Sequence, residues 1–242
     1  MSLYDLKKLL SENSYPGRGI IVGKSTDGKK AMIAYFIMGR SENSRNRIFE
    51  RFDGGLRTKA YDESKMVDPS LIIYNPYLAA NDGKIDIITN GDQTNTIFDF
   101  INRDTSDPYA FEKALETREF EPDSPNFTPR ISAILNYGEG DFSYKMSILK
   151  SASGNPEACH RFTYSYKSMS GIGHFIHTYK TDGNPIPSFY GEPEEIALPN
   201  SVGELFDIVW SNLNEDNKVS LFVREVDLET GKANEFIINK NE

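Results

Sequence analysis

Two apolar runs, GIIVGKS (19–25) and KAMIAYFIM (30–38), are separated by little more than Thr26-Asp27-Gly28-Lys29. Asp-Gly between strand-like runs fits a tight hairpin turn, which makes the two runs adjacent antiparallel strands. The pattern recurs along the chain. SLIIYNPYLAA and KIDIIT flank Asn81-Asp82-Gly83-Lys84, RISAILNY and FSYKMSILKS flank GEGD, and VSLFVREVD and NEFIIN flank ETGK. CHRFTYSYK and GHFIHTYK read as a further pair. A chain built this way folds as a strand-rich meander.

Helical signals are fewer. Leu3, Leu6, Leu9 and Leu10 recur at helical spacing over residues 3–12. NTIFDFIN and PYAFEKALETR read as two helices, with Pro108 suited to a first turn. SVGELFDIVWSNL reads as a fourth, with Ser201 and Glu204 in capping-box spacing. Residues 40–70, EFEPDSPNFTPR (119–130) and DGNPIPSFYGEPEEIALP (182–199) read as irregular. No repeat or linker divides the chain, so one α+β domain over residues 1–242 is expected, with a short helical extension over 1–14.

Charge enters the argument at one place. GRSENSRNR carries Arg40, Arg45 and Arg47 directly after an apolar strand, and Arg51 and Arg57 follow, yet the formal net charge is −9. An acidic chain argues against general nucleic-acid binding, which needs a broad basic surface. It does not argue against one basic pocket for a small anion. Guanidinium forks at a strand end suit phosphate or carboxylate; surface arginines paired with Glu42, Glu50 and Asp53 fit the pattern equally. Cys159 is the single cysteine, which excludes an internal disulfide and a cysteine-based metal cluster. No apolar run reaches about eighteen residues, so no membrane span is expected. The first residues lack a secretory signal, and a cytoplasmic protein is expected.

Other stretches carry weaker signals. Thr89-Asn90-Gly91-Asp92 leads into a helix whose free N–H groups favour an anion, or which Asp92 or Thr94 simply caps. Glu119, Glu121 and Asp123 lie ahead of Arg130 and supply candidate bases. His174 and His177 face opposite ways on a strand and make poor joint metal ligands. No nucleophile elbow, P-loop or dinucleotide fingerprint is present. The residues alone stop at an α+β domain with a candidate anion pocket.

Three stretches in order, YPGRGIIVGKSTDGKKAMIAYFIMGRSENSRNR, NPYLAANDGKIDIITNGDQTNTI and FEPDSPNFTPRISAI, resemble the IMP cyclohydrolase family first known from archaea over roughly residues 15–150, and GIGHFIHTYKTDGNPIPSFYGEP resembles an element of its bacterial members. The resemblance implies a four-layer αββα sandwich of antiparallel sheets like that of N-terminal nucleophile hydrolases. It also implies an enzyme: a cyclohydrolase acting on a cyclic amidine C–N bond, closing the ring of 5-formamidoimidazole-4-carboxamide ribonucleotide to IMP in purine biosynthesis. A purine nucleotide is then the partner; no cofactor or metal is expected, nor nucleic acid or membrane, and homo-oligomerisation stays open. Carried over by motif, Tyr77, Glu121 and Arg40 are catalytic. Tyr77 serves the formyl oxygen, Glu121 the carboxamide, and Arg40 the substrate's charge. Arg18, Ser41, Asn46, Arg47, Asn90, Gly91, Thr128, Arg130 and His177 contact substrate. Glu119 or Asp123 is the alternative carboxylate, because the loop is one residue longer than the archaeal spacing. The first strand opens near Tyr15-Pro16-Gly17-Arg18 with no Ser, Thr or Cys, so a self-processing nucleophile is not expected. Two rival readings are an amide hydrolase on the same fold and a nucleotide-binding protein without turnover.

Overall fold

The computed structural model describes residues 3–67, 69 and 72–241. A helix α1 (Leu6–Glu12) precedes the hairpin β1 (Arg18–Lys24) and β2 (Lys30–Met38). A single turn of helix, α2 (Glu42–Arg45), leads to β3 (Arg47–Phe52) and β4 (Gly55–Ala60). Then come β5 (Tyr77–Ala80), β6 (Ile85–Thr89), α3 (Gln93–Arg103) and α4 (Ala110–Glu116). The chain continues through β7 (Arg130–Tyr137), β8 (Phe142–Ala152), β9 (Asn155–Lys167), β10 (Ile172–His177) and β11 (Glu194–Ala197). It ends with α5 (Val202–Asn212), β12 (Lys218–Asp227) and β13 (Ala233–Asn239).

The strands form a six-stranded sheet in the order β11-β10-β1-β2-β12-β13 and a seven-stranded sheet in the order β3-β4-β5-β6-β7-β8-β9. One apolar cluster joins the two sheets face to face, with Ile20, Tyr35 and Phe222 meeting Phe49, Ile131 and Met146. A second packs α1 and α5 on the outer face of the six-stranded sheet through Leu10, Leu205 and Phe36. A third packs α3 and α4 on the other sheet through Ile97, Phe111 and Ile87. Each sheet is therefore apolar on both faces, and the layers run helix, sheet, sheet, helix: a four-layer αββα sandwich.

The structure departs from the sequence reading at five places. Residues expected to be irregular contain the hairpin β3–β4, turned at Asp53-Gly54; RIFERF alternates as a half-buried strand does. The strand expected over SLIIYNPYLAA is confined to Tyr77–Ala80. Proline at 76 has no N–H for a ladder, and Tyr74 bonds Thr58 instead, donating its N–H to Thr58 Oγ1 at 2.8 Å; Ser70 and Leu71 lie outside the described residues. β9 and β10 are not a pair: β9 lies against β8, and β10 crosses to the other sheet to pair with β1. Gly23 and Gly173 face each other there so closely that a Cβ on Gly23 would lie 2.4 Å from Gly173 Cα. The proline-rich segment contains β11. Finally, α1 starts at Leu6, because Asp5 caps it by accepting from Lys7 N at 2.9 Å.

His174 sits in the core between the sheets. Its ring stacks on Tyr166 at 3.6 Å, and Nδ1 shares a hydrogen bond of 2.6 Å with the Tyr144 hydroxyl. Burial pushes its pKa down to about 4. The unfolded chain binds a proton near pH 6.5 that the native ring refuses until about pH 4. Stability is therefore lost as pH falls across that window, by something on the order of 2 kcal/mol once partial hydration of the ring is allowed for. Thermal unfolding followed from pH 7 to pH 4 should show a shallower decline for His174→Gln than for the parent; parallel curves would remove His174 as the cause.

Candidate active site

β2 runs out at Met38, and the chain must reverse at once to reach β3. Gly39 permits this: a Cβ there would lie 2.7 Å from the Ser44 backbone. Ser41 caps the turn by accepting from Ser44 N at 3.1 Å, and Arg45 Nε donates to Gly39 O at 2.9 Å. The arginine-rich loop is thus a tight hook held by its own polar groups. It places Arg47 at the start of β3, fully buried, where Nε donates to Ser44 O at 2.8 Å and one terminal nitrogen to Met38 O at 3.2 Å. The other terminal nitrogen, Nη1, has no partner.

Arg18 opens β1 in the facing sheet. Its guanidinium lies 3.6 Å from Glu121 Oε2, and its Nε is buried without a partner. Glu121 is held by its loop, donating its backbone N–H to Thr128 O at 2.9 Å, and its Oε1 is also buried and unpaired. Asp123 closes that loop by accepting from Thr128 N at 2.6 Å and from the Thr128 hydroxyl, which also bonds the Tyr179 hydroxyl. Arg18, Arg47, Asp123 and Thr128 line a cavity of about 210 Å³, and Glu121 lies against Arg18. Tyr15 and Tyr179, stacked at 5.7 Å, form a wall. Arg40 sits at the rim, 5.1 Å from the centre of the Tyr15 ring, paired with Asp182 and donating to Gly183 O at 2.9 Å. Behind the cavity, Tyr35 and Tyr74 share a hydroxyl–hydroxyl bond of 2.8 Å and couple electrostatically to Arg47.

Buried polar groups are nearly always satisfied. Arg18 and Arg47 at one cavity, each with an unpaired guanidinium nitrogen, and Glu121 against Arg18 with an unpaired carboxylate oxygen therefore keep hydrogen-bonding capacity that a polar ligand could use. The electrostatics agree. Burial raises the Glu121 pKa although Arg18 and Arg130 oppose it, as befits a proton acceptor. Burial, then the charge of Arg18, lowers that of Arg47. Burial works against the Arg18 charge too, but Glu121 and the surrounding phenols hold its pKa above the ordinary value.

Of the residues singled out in the sequence, Arg18, Arg40, Ser41, Arg47, Asp123 and Thr128 line this cavity, and Glu121 lies against Arg18. The structure does not bring the others here. Tyr77 donates to Asp86 Oδ1 at 2.8 Å, in an intersheet network with Tyr137 and Arg224. Asn46 is spent on the backbone of Asp62, at 2.8 Å in both directions. Asn90 fastens the start of β7, accepting from Ile131 N and donating to Pro129 O at 2.8 Å each. Arg130 pairs with Asp92 at 2.7 Å and donates to Gln93 Oε1 at 2.8 Å, and Gly91 makes room for it: a Cβ there would lie 2.3 Å from Arg130 Nη1. His177 bonds Tyr179 O at 2.8 Å and Glu194 at 3.2 Å on the outer face of its sheet. The arginine cluster splits: Arg51 pairs with Glu235 and Arg57 with Glu50 on the surface, while Arg47 turns inward. Tyr15, Ser44, Asn126, Tyr179 and Ile186 line the cavity without having been singled out. Nothing local marks them, because long-range folding brings them together.

The family described as IMP cyclohydrolase-like protein matches residues 15–231, most of the chain, from Tyr15 of the cavity wall to the last hairpin turn. The chain belongs to that family. Every residue lining the cavity falls within the IMP cyclohydrolase-like match, and α1 lies before it. A search of curated proteins returns no match. Among the described residues no group of three or more His, Cys, Asp and Glu is placed to hold a metal ion, and no helix is long and apolar enough to cross a membrane.

Tyr77 gives a sharp contrast with the cavity residues. Tyr77→Phe removes one of the donors to buried Asp86 and is expected to cost about 1–2 kcal/mol of stability. Turnover of the substrate proposed below should change less than about threefold. A larger loss of kcat by a fully folded variant would return Tyr77 to the chemistry.

Proposed function

We propose that this chain is an IMP cyclohydrolase acting on 5-formamidoimidazole-4-carboxamide ribonucleotide as a single catalytic unit. The observation that carries the reading is the set of unpaired buried atoms inside the family match: Arg18 Nε and Arg47 Nη1 on residues that line the cavity, and Glu121 Oε1 on the carboxylate against Arg18. The reaction needs two donors and one base so arranged. The carboxamide nitrogen attacks the formyl carbon of the same molecule, so fixing the two groups against each other removes much of the barrier. Glu121 Oε1 takes a proton from the carboxamide as the N–C bond forms. The guanidiniums of Arg18 and Arg47 stabilise the charge that collects on the formyl oxygen. That oxygen is protonated, with Glu121 able to return its proton, and leaves as water. The formamide nitrogen loses its proton as the C=N bond forms, giving IMP and one water. Arg40 and Tyr15 guard the entrance.

The amide-hydrolase alternative has no support at the first strand. Arg18 occupies its start, and the preceding chain is pinned where Pro16 O accepts from Thr178 Oγ1 at 3.1 Å and Gly17 O from Met38 N at 2.8 Å. The test is a steady-state assay: purified protein with the formylated ribonucleotide, IMP formation followed by ultraviolet absorbance. Turnover is expected. A folded protein that binds IMP without forming it would replace the reading by a nucleotide-binding one.

A further inference from the structure

A cavity of about 210 Å³ is small for a nucleotide, since small-molecule sites run to about 300–1,000 Å³. A second cavity, of about 460 Å³, adjoins it. The two share Asn126 and Ile186, which are joined where Ile186 N donates to Asn126 Oδ1 at 3.0 Å. Its other walls include Pro125, Pro185, Lys150 near the end of β8, and His160, the cross-strand partner of Lys150 on β9.

Lys150 is an unusual cation for so acidic a chain. Its Nζ donates to Phe189 O at 2.7 Å and lies 5.6 Å from the centre of the Phe162 ring, and no carboxylate pairs with it among the described residues. Of three ammonium donors, one is used. Burial lowers its pKa, with no carboxylate opposing the shift.

The arginine cavity has the opposite character. Its walls include Arg18 and Arg47, each with an unpaired guanidinium nitrogen, but also the Asp123 carboxylate, and the unpaired carboxylate oxygen of Glu121 lies beside Arg18. A carboxylate that accepts a proton suits an amide N–H and repels a phosphate. The two ends of a nucleoside monophosphate differ in the same way: a polar base with N–H and C=O groups, and a dianion. We propose that the cavity beside Lys150 is the phosphate subsite, and that the nucleotide enters the arginine cavity base first. The inference rests on the function proposed above, and it names which end of the substrate each cavity takes.

Calorimetric titrations with ribose 5-phosphate, inosine and IMP test it. The parent protein should bind ribose 5-phosphate, more weakly as salt rises. Lys150→Gln should weaken ribose 5-phosphate and IMP at least tenfold and leave inosine unchanged. Lys150→Arg, which keeps the charge, should stay within about threefold of the parent. Three outcomes would overturn the proposal: no binding of ribose 5-phosphate by the parent, equal IMP affinity in parent and Lys150→Gln, or an equal loss for inosine and IMP. Lys150-dependent binding of ribose 5-phosphate by a protein that does not cyclise the formylated ribonucleotide would keep the phosphate subsite and discard the cyclohydrolase.

Discussion

Glu121→Gln should lower kcat by about 10²–10⁴-fold, the usual worth of a positioned acid–base group, while the protein stays folded and still binds IMP. Glutamine has the same shape and can still accept from Arg18, but it cannot take a proton from the substrate amide. Its effect therefore falls on kcat and spares IMP affinity, whereas loss of a purely structural contact would lower both with stability. The parent's kcat/KM should fall on the acid side, with an inflection above the ordinary glutamate range, because burial raises the Glu121 pKa. That limb should vanish in Glu121→Gln. Glu121→Ala is a different experiment: it leaves the Arg18 guanidinium buried without its carboxylate and should cost about 3–5 kcal/mol of stability. Wild-type kcat in Glu121→Gln would move the base to Asp123 or Glu119.

Arg47→Met is expected to be the most destabilising of the loop substitutions, by about 2–4 kcal/mol in chemical denaturation. The arginine is enclosed, and its removal leaves the carbonyls of Ser44 and Met38 without their donor. Relief of its desolvation and of the repulsion from Arg18 offsets part of that cost. Affinity for IMP should fall further than stability suggests, by roughly tenfold or more, since Nη1 is the atom left for the ligand. Arg51→Met and Arg57→Met serve as controls. Their partners are on the surface, so each should stay within about 1 kcal/mol of the parent. If all three arginine variants unfolded at the same denaturant concentration, the inward role given to Arg47 would be lost.

Much of this fold is legible locally. Asp27-Gly28 and Asn81-Asp82-Gly83 announce their hairpins because turn residues act through the backbone they sit on, and α5 is announced by Ser201, which accepts from Glu204 N at 3.2 Å. What failed was non-local. The pairing of β10 with β1 joins residues at least 150 positions apart, and no turn signal encodes it. The site divides along the same line. Arg18 and Arg47 of the candidate cavity, and Glu121 against Arg18, could be singled out from motifs. Tyr15 with Tyr179, and Tyr35 with Tyr74, become neighbours only when the sheets close. Tyr77 shows the reverse: a motif residue that the fold places away from the cavity, with its hydroxyl donating to Asp86, itself buried between the sheets.

The cavity takes Arg18 from one sheet and Arg47 from the other, with the Glu121 loop leading into β7. A molecule seated there is a rivet through both plates. Ligand at a hundred times its dissociation constant would add about 2.7 kcal/mol to the resistance of the whole sandwich to opening. Proteases act on the opened fraction. The lifetime of this chain in a protease-rich medium thereby becomes a gauge of how much nucleotide surrounds it.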